Sequence, residues 1–281
     1  MTAIDASAPA GEPLVRRVTD DEVALFRTHE WARLDALVRP DAVARMLAVA
    51  KEVLGASAQG RHVPPTAGRV ADYGRWVDYH HLALEDGREP FRSLVFSTIM
   101  ASNAQRLAAR QGGIRYFADT LACKTPQGRR VGSARTVWHQ DLPHFPHDRV
   151  GHVAFWLALD EVVPEQGSLR FLSGAHAEGP LGRDLGLEGP DVVERYPWLL
   201  ERYAVSPARR LAPGDATVHG ALTIHTAPPN RTVRPRWAYI YSYLPDDVRY
   251  TGAPYGPCDE LDMQVGEPFD GPRFPLLPVT S

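Results

Sequence analysis

From Thr19 onward the apolar positions recur with a helical period. Thr19-Asp20-Asp21-Glu22 sets a hydroxyl three residues ahead of a glutamate, the pattern of a capping box, and Val23, Leu25, Phe26, Trp31 and Leu34 follow at helical spacing. Pro40 suits the first turn of a second helix, DAVARMLAVAKEVL, which Gly55 closes as a C-terminal glycine. Residues 56–90 break the period, with Gly, Pro, His and Trp scattered through them. A connection of that length usually serves function. Phe91 to Arg110 reads as a third helix ending at Gly112-Gly113.

Past Ile114 the pattern changes. IRYFADTLAC, VGHVAFWLAL, SLRFL, DATVHGALTIH and RWAYIYSYL are short β-type runs, separated by the turn segments TPQG, PEQGS, APGD and PPNR. Such runs predict a sandwich or barrel. Residues 179–205 interrupt them as a Gly-rich, partly helical insertion, and residues 245–281, rich in Pro and Gly, read as a wrap without a core of its own. The expectation is an α+β chain with a mainly β core, in one domain over 1–281. Within it, 1–14 are expected to be disordered, 15–113 mostly helical and 114–244 the β core.

Composition narrows the function classes. A chain of 281 residues can bury a substantial core, and 44% hydrophobic with 23% charged residues is ordinary for a globular protein. A net charge of -3 without basic runs argues against nucleic acid or an anionic membrane as partner. The first residues lack the apolar core of a signal peptide, and runs such as Leu94 to Ala101 fall short of the roughly 20 residues that cross a bilayer. A cytoplasmic protein acting on a small molecule is expected. Two cysteines, Cys123 and Cys258, exclude a disulfide framework and a four-thiolate zinc site.

The candidate chemistry starts at His139-Gln140-Asp141. Alone the triplet means little, since chance gives about one His-x-Asp in a chain of this composition, and His176-Ala177-Glu178 is a rival of the same kind. Its place at the end of the strand-like run TVWHQD separates it, because residues i and i+2 of a strand share a face. His225, which ends the apolar run ALTIH, supplies a second imidazole from a later strand. Two imidazoles and a carboxylate on one face make the facial triad of non-haem Fe(II) oxygenases, with open positions for an oxo acid and dioxygen. Arg236 opens the next run, RWAYIYSYL, and its guanidinium suits the far carboxylate of a dicarboxylic co-substrate. The loop TAPPNRTVRP would fold it back beside His225. A cupin-like metalloenzyme, either an isomerase or an oxygenase needing no oxo acid, remains the alternative, although Arg236 then has no role. A non-catalytic binding protein with the same fold would be expected to carry a broken triad.

These residues resemble the phytanoyl-CoA dioxygenase family of Fe(II)/2-oxoglutarate oxygenases. The matching segments are CKTP at Cys123, WHQDLPHFP (Trp138 to Pro146), FWLALDEVVPEQGSLRFLSGAH (Phe155 to His176) and PGDATVHGALTIHTAPPNRTVRPR (Pro213 to Arg236). The resemblance implies a double-stranded β-helix (jelly-roll or cupin-like) with N-terminal helices packed outside. It implies His139, Asp141 and His225 as iron ligands, Arg236 as the 2-oxoglutarate anchor and Trp156 as an aromatic against that co-substrate. It places His176 in a loop rather than at the metal. Many members carry a serine two residues past the distal histidine, where this chain has Ala227, with Thr232 as a possible substitute hydroxyl. Related halogenases lack the carboxylate, so the presence of Asp141 speaks against halogenation. The implied reaction consumes dioxygen and 2-oxoglutarate, releases succinate and CO₂, and hydroxylates a metabolite or natural-product intermediate. Desaturation, ring formation and epimerisation are its variants.

Other residues carry weaker expectations. Lys124, His219, His144 and Phe145 are substrate-pocket candidates. Against that role, a strand-end lysine is commonly a solvated charge, a strand histidine commonly satisfies a core hydrogen bond, and a tryptophan such as Trp156 is often simply core. His80-His81, near Trp76 and Tyr79, reads as surface loop or as part of a lid, and Arg231 and Arg234 as exposed neighbours of the anchor.

Overall fold

The computed structural model describes residues 13–56, 77–110, 112–128, 134–182 and 191–279. The expectation of disorder for 1–14 falls mostly outside them, as do the reading of Trp76 and parts of the 56–90 and 179–205 segments. Leu14 already packs on the core and Val15 is buried.

The first helix, α1 (Asp20–His29), starts at the expected capping box: the Thr19 hydroxyl accepts from the Glu22 N–H and the Glu22 carboxylate accepts from the Thr19 N–H. It stops earlier than its apolar period suggests. Glu30 adopts a left-handed conformation (φ 57°), and Trp31–Leu34 forms a strand, β1, rather than a further helical turn. The second helix, α2 (Pro40–Leu54), has the expected Pro start and Gly55 end. Within the segment expected to be irregular lies β2 (Val77–His80). The long third helix is two: α3 (Phe91–Val95) and α4 (Thr98–Ala108), the second restarted by Ser97, whose hydroxyl accepts from the Met100 N–H.

The β core follows with β3 (Ile114–Lys124), β4 (Thr136–His139), β5 (Val153–Ala158) and β6 (Arg170–Phe171). Short helices α5 (Val192–Arg195) and α6 (Trp198–Arg202) come next. The run DATVHGALTIH then splits into β7 (Ala216–Gly220) and a turn, so His225 opens β8 (His225–Ala227) instead of ending a strand. The chain finishes with β9 (Arg236–Pro245), α7 (Gly256–Asp259) and β10 (Leu276–Leu277).

Two antiparallel sheets result. The larger runs β1-β7-β5-β9-β3-β10, with β2 also on β3, and the smaller is β4-β8-β6. This is the mainly β, jelly-roll arrangement expected. Strand alternation gives the large sheet two different faces. Its outer face carries Val153, Phe155 and Leu157 with Trp237, Tyr239, Tyr241 and Tyr243, which bury against Phe91, Leu94, Met100 and Leu107 of the N-terminal helices. Each such buried side chain contributes about 1.5–3 kcal/mol by leaving water. Its inner face alternates with these positions and, apart from Trp156 and Ile240, is built from small or polar residues: Ala154 pairs with Ser242 and His219, Trp156 with Ile240 and Thr217, and Ala158 with Ala238. Large groups outside lock the sheet to the helices, and the small residues Ala154, Ala238 and Ser242 inside leave room over the site.

The C-terminal wrap has more core than its composition suggests. Val248, Tyr250, Tyr255, Cys258, Phe269 and Phe274 cluster with Leu244 of β9 around Phe117 of β3. Both cysteines are buried free thiols. Among the described residues no helix is long and apolar enough to cross a membrane.

Candidate metal centre and co-substrate pocket

Three side chains converge where β4 meets β8. His139 ends β4 and lies opposite His225, the first residue of β8, and Asp141 follows two residues on, in the corner before a single 3-10 turn, Leu142–His144. One ligand atom from each of the three lies within 4.8 Å of the others. The imidazoles are oriented through their other nitrogens: His139 Nδ1 faces the Val137 carbonyl at 2.8 Å and His225 Nδ1 the Thr223 carbonyl at 3.0 Å. Donation from Nδ1–H leaves each Nε2 with a bare lone pair aimed inward. Asp141 Oδ1 is 3.6 Å from His139 Nε2 and 3.9 Å from His225 Nε2. These separations are too long for hydrogen bonds and suit donors that each sit about 2 Å from one shared ion.

Electrostatics agree with that use. Burial, with His139 and His219 nearby, lowers the His225 pKa well below the ordinary imidazole value, so the ring is neutral and able to ligate. Burial by itself would raise the Asp141 carboxyl, but His225, the bond from His219 and His139 hold it well below its usual range as a carboxylate. The donor set fits a divalent ion that takes two imidazoles and a carboxylate and keeps open positions.

Sequence reasoning left His219 between pocket and core, and it sits against the triad. Its Nε2 is 3.2 Å from Asp141 Oδ2, and its ring centroid is 4.3 Å from that of His225. Gln140, the middle residue of the triplet, was missed. Its side-chain amide donates to the Gly179 and Leu222 carbonyls, and its carbonyl accepts from the Leu181 N–H. It therefore ties the β4 corner to the loop that leads into His225. A strand-end glutamine facing away from the ligands carries no motif signal.

Arg236, at the start of β9, is 2% exposed. Its guanidinium lies 5.0 Å over the Trp156 ring and donates to the Gly167 carbonyl, while Nε is buried without a partner. No acidic side chain among the described residues pairs with it, and burial lowers its pKa to about 10. A buried, still cationic arginine on an aromatic face with an unspent donor fits the distal carboxylate of an oxo diacid. Gly167 allows this arrangement. It has φ 79°, and a Cβ there would stand 2.0 Å from the Pro228 carbonyl oxygen.

The remaining candidates divide. Lys124 lies opposite Arg236 in the β3–β9 register and, contrary to the solvated-charge reading, is fully buried, with Nζ donating to the Ala134 and Ala227 carbonyls. The His144 ring is 6.2 Å from that of His139, whereas Phe145 turns into an aromatic group with Phe117, His152 and Tyr255. His176 is outside the triad, in a 3-10 turn. The Thr232 hydroxyl bonds to Asn230 and the Arg234 carbonyl within its own loop. Arg234 is exposed and pairs with Glu161. His80 bonds to Asp78 and Thr120, and half-buried His81 accepts from Arg273 of the C-terminal wrap.

A methylphosphonate hydroxylase of Gimesia maris is 29% identical over 109 residues, 37% of either chain. A probable alpha-ketoglutarate-dependent hypophosphite dioxygenase of Stutzerimonas stutzeri is 27% identical over 173 residues, 59% of this chain and 58% of the relative. The chain thus matches less than two thirds of the length of either curated relative. Among solved structures, the non-haem alpha-ketoglutarate-dependent carbocyclase SnoK of nogalamycin biosynthesis shares the fold, with a TM-score of 0.74 and 23% identity over 95% of this chain and all of the other. The epimerase SnoN, solved with Fe3+, alpha-ketoglutarate and nogalamycin RO, does so at a TM-score of 0.67 and 24% identity, over 92% of this chain and 97% of the other. The phytanoyl-CoA dioxygenase (PhyH) family model matches residues 31–238, most of the chain, which therefore belongs to that family of Fe(II)- and 2-oxoglutarate-dependent oxygenases.

Proposed function

We propose that this chain hydroxylates a small-molecule metabolite or natural-product intermediate, with succinate and CO₂ as co-products. In this reading His139, Asp141 and His225 hold Fe(II), and Arg236 holds the far carboxylate of 2-oxoglutarate over Trp156. The observation that carries it is the pairing of a three-donor cluster within 4.8 Å with a buried arginine that no acid among the described residues neutralises. A metal site of another class would need the first feature and leave the second unexplained.

Iron with 2-oxoglutarate supplies the oxidising power for C–H cleavage when bound. The chain's own residues do the placing. The Val137 and Thr223 carbonyls fix the tautomers of His139 and His225, and His219 holds the second oxygen of Asp141. Arg236 and Trp156 set the co-substrate's direction. The small inner-face residues Ala154, Ala238 and Ser242 leave space above, and the helices close the sheet's other side against water.

A second reading, ring closure or epimerisation, draws support from the shared fold with SnoK and SnoN, which carry those activities in their names. Succinate release from 2-oxoglutarate by iron-loaded protein tests the shared part of both readings. Release by the wild type and its loss in His225→Ala is expected. No release under any substrate mixture would sink the assignment.

A further inference from the structure

A second group of imidazoles lies beside the triad and is unused by the reading above. His147 and His152 flank the loop between the 3-10 turn after Asp141 and β5, and they are 6% and 2% exposed. Their ring centroids are 5.5 Å apart. All four ring nitrogens are buried without a hydrogen-bond partner among the described residues. Buried donors and acceptors are almost always paired, so two imidazoles with none is an exception that asks for a ligand.

Their surroundings are aromatic. Phe117 stands 4.7 Å from His147 and 5.8 Å from His152, Phe145 lies 5.5 Å and 5.3 Å away from the same two rings, and Phe269 is 5.6 Å from His147. The group also faces the metal site. His152 lies two residues before Ala154, which pairs with His219 on the inner face of the sheet, and the charge of Asp141 reaches both imidazoles.

We propose that His147 and His152 form a substrate subsite that binds neighbouring oxygens of a neutral, hydroxylated compound. The proposal rests on the oxygenase reading and names its substrate class. A neutral imidazole has one N–H donor and one bare acceptor nitrogen, so the pair offers two of each and no charge. Hydroxyl groups, or a hydroxyl beside a carbonyl, use both kinds. A small oxyanion such as a phosphonate calls for positive charge. Burial instead holds His152 near 4 and His147 well below its ordinary value, so neither ring is cationic at neutral pH.

The test uses full-length protein loaded with Fe(II), as wild type, His147→Phe and His152→Phe, with His147→Asn and His152→Asn as smaller replacements. The probes are methyl glucoside, methyl rhamnoside and 1,3-dihydroxynaphthalene on one side, and methylphosphonate and phosphite on the other. Succinate release is measured with each, alongside the anaerobic charge-transfer band of iron with 2-oxoglutarate and the Tm of the metal-free proteins. At least one neutral probe should speed succinate release in the wild type. Each substitution should raise its KM tenfold or more while the band stays, and loss of orphaned nitrogens should leave Tm level or a few degrees higher. Stimulation by the oxyanions alone, or by no neutral probe, overturns the proposal. So does a KM unchanged within twofold, or a large fall in Tm for both replacements at either position, which would mark the histidines as structural. Absence of the band in the wild type would instead sink the oxygenase reading, and this proposal with it.

Discussion

Asp141 and His219 are joined across the barrel interior, Oδ2 to Nε2 at 3.2 Å. The bond leaves Asp141 Oδ1 turned towards His139 and His225. An outer partner of this kind sets the direction and basicity of a ligating carboxylate, and its loss typically lowers metal affinity 10–100-fold. His219→Leu is expected to weaken Fe(II) binding by about that factor while leaving the fold intact by circular dichroism. An Fe(II) affinity equal to wild type would show that the bond has no bearing on the metal.

Gly167 connects the loop after β5 to the co-substrate pocket. Its carbonyl accepts from Arg236, and a side chain there would run into the Pro228 carbonyl. Gly167→Ala is therefore expected to shift the arginine and weaken 2-oxoglutarate binding by about tenfold, a loss of roughly 1.4 kcal/mol, with Fe(II) binding nearly unchanged. Calorimetric titration of each component separates the two. Equal losses for both would mean the loop acts on the whole site.

The clustered residues His139, Asp141 and His225 and the buried Arg236 were legible as candidates because each sits at the edge of an apolar β run, where strand period fixes which side chains share a face. The helices α1 and α2 were legible from their ends, a capping box at Thr19 and a Pro40–Gly55 pair. What failed did so for local reasons. Trp31 and Leu34 continue the helical period of α1, and only the left-handed turn at Glu30, set by its tertiary contacts with the Gly220–Thr223 loop, moves them into a strand. The α3–α4 break depends on one serine cap at Ser97. The turn before His225 hides inside a continuous apolar run. His147 and His152 have no spacing that marks them, since the loop and the C-terminal wrap bring them together.

Glu30 gives the site loop a pH signature. Its backbone carbonyl accepts from the Gly220 N–H and the Thr223 hydroxyl, and Thr223 in turn orients His225. Burial raises its carboxyl from 4.5 to about 7, only partly opposed by the Thr223 hydroxyl. The folded state therefore favours the protonated form. Its contribution is complete below pH 4.5, declines as pH rises, and is gone above about 7, a loss of about 3 kcal/mol at most. Glu30→Gln should flatten the fall in Tm between those values and exceed the wild type at pH 8. Parallel Tm–pH curves for the two proteins would contradict the assignment.

The central claim is that one cluster holds iron and one arginine holds the co-substrate. Its most direct test is an anaerobic titration of metal-free protein with Fe(II) and then 2-oxoglutarate, following the weak visible charge-transfer band of the chelate. The wild type should develop the band, Arg236→Ala should bind iron with the band lost or greatly weakened, and His225→Ala should lose it because iron is no longer held. Iron bound by the wild type without any band would favour a metalloenzyme that needs no oxo acid, and failure to bind iron at all would contradict the account.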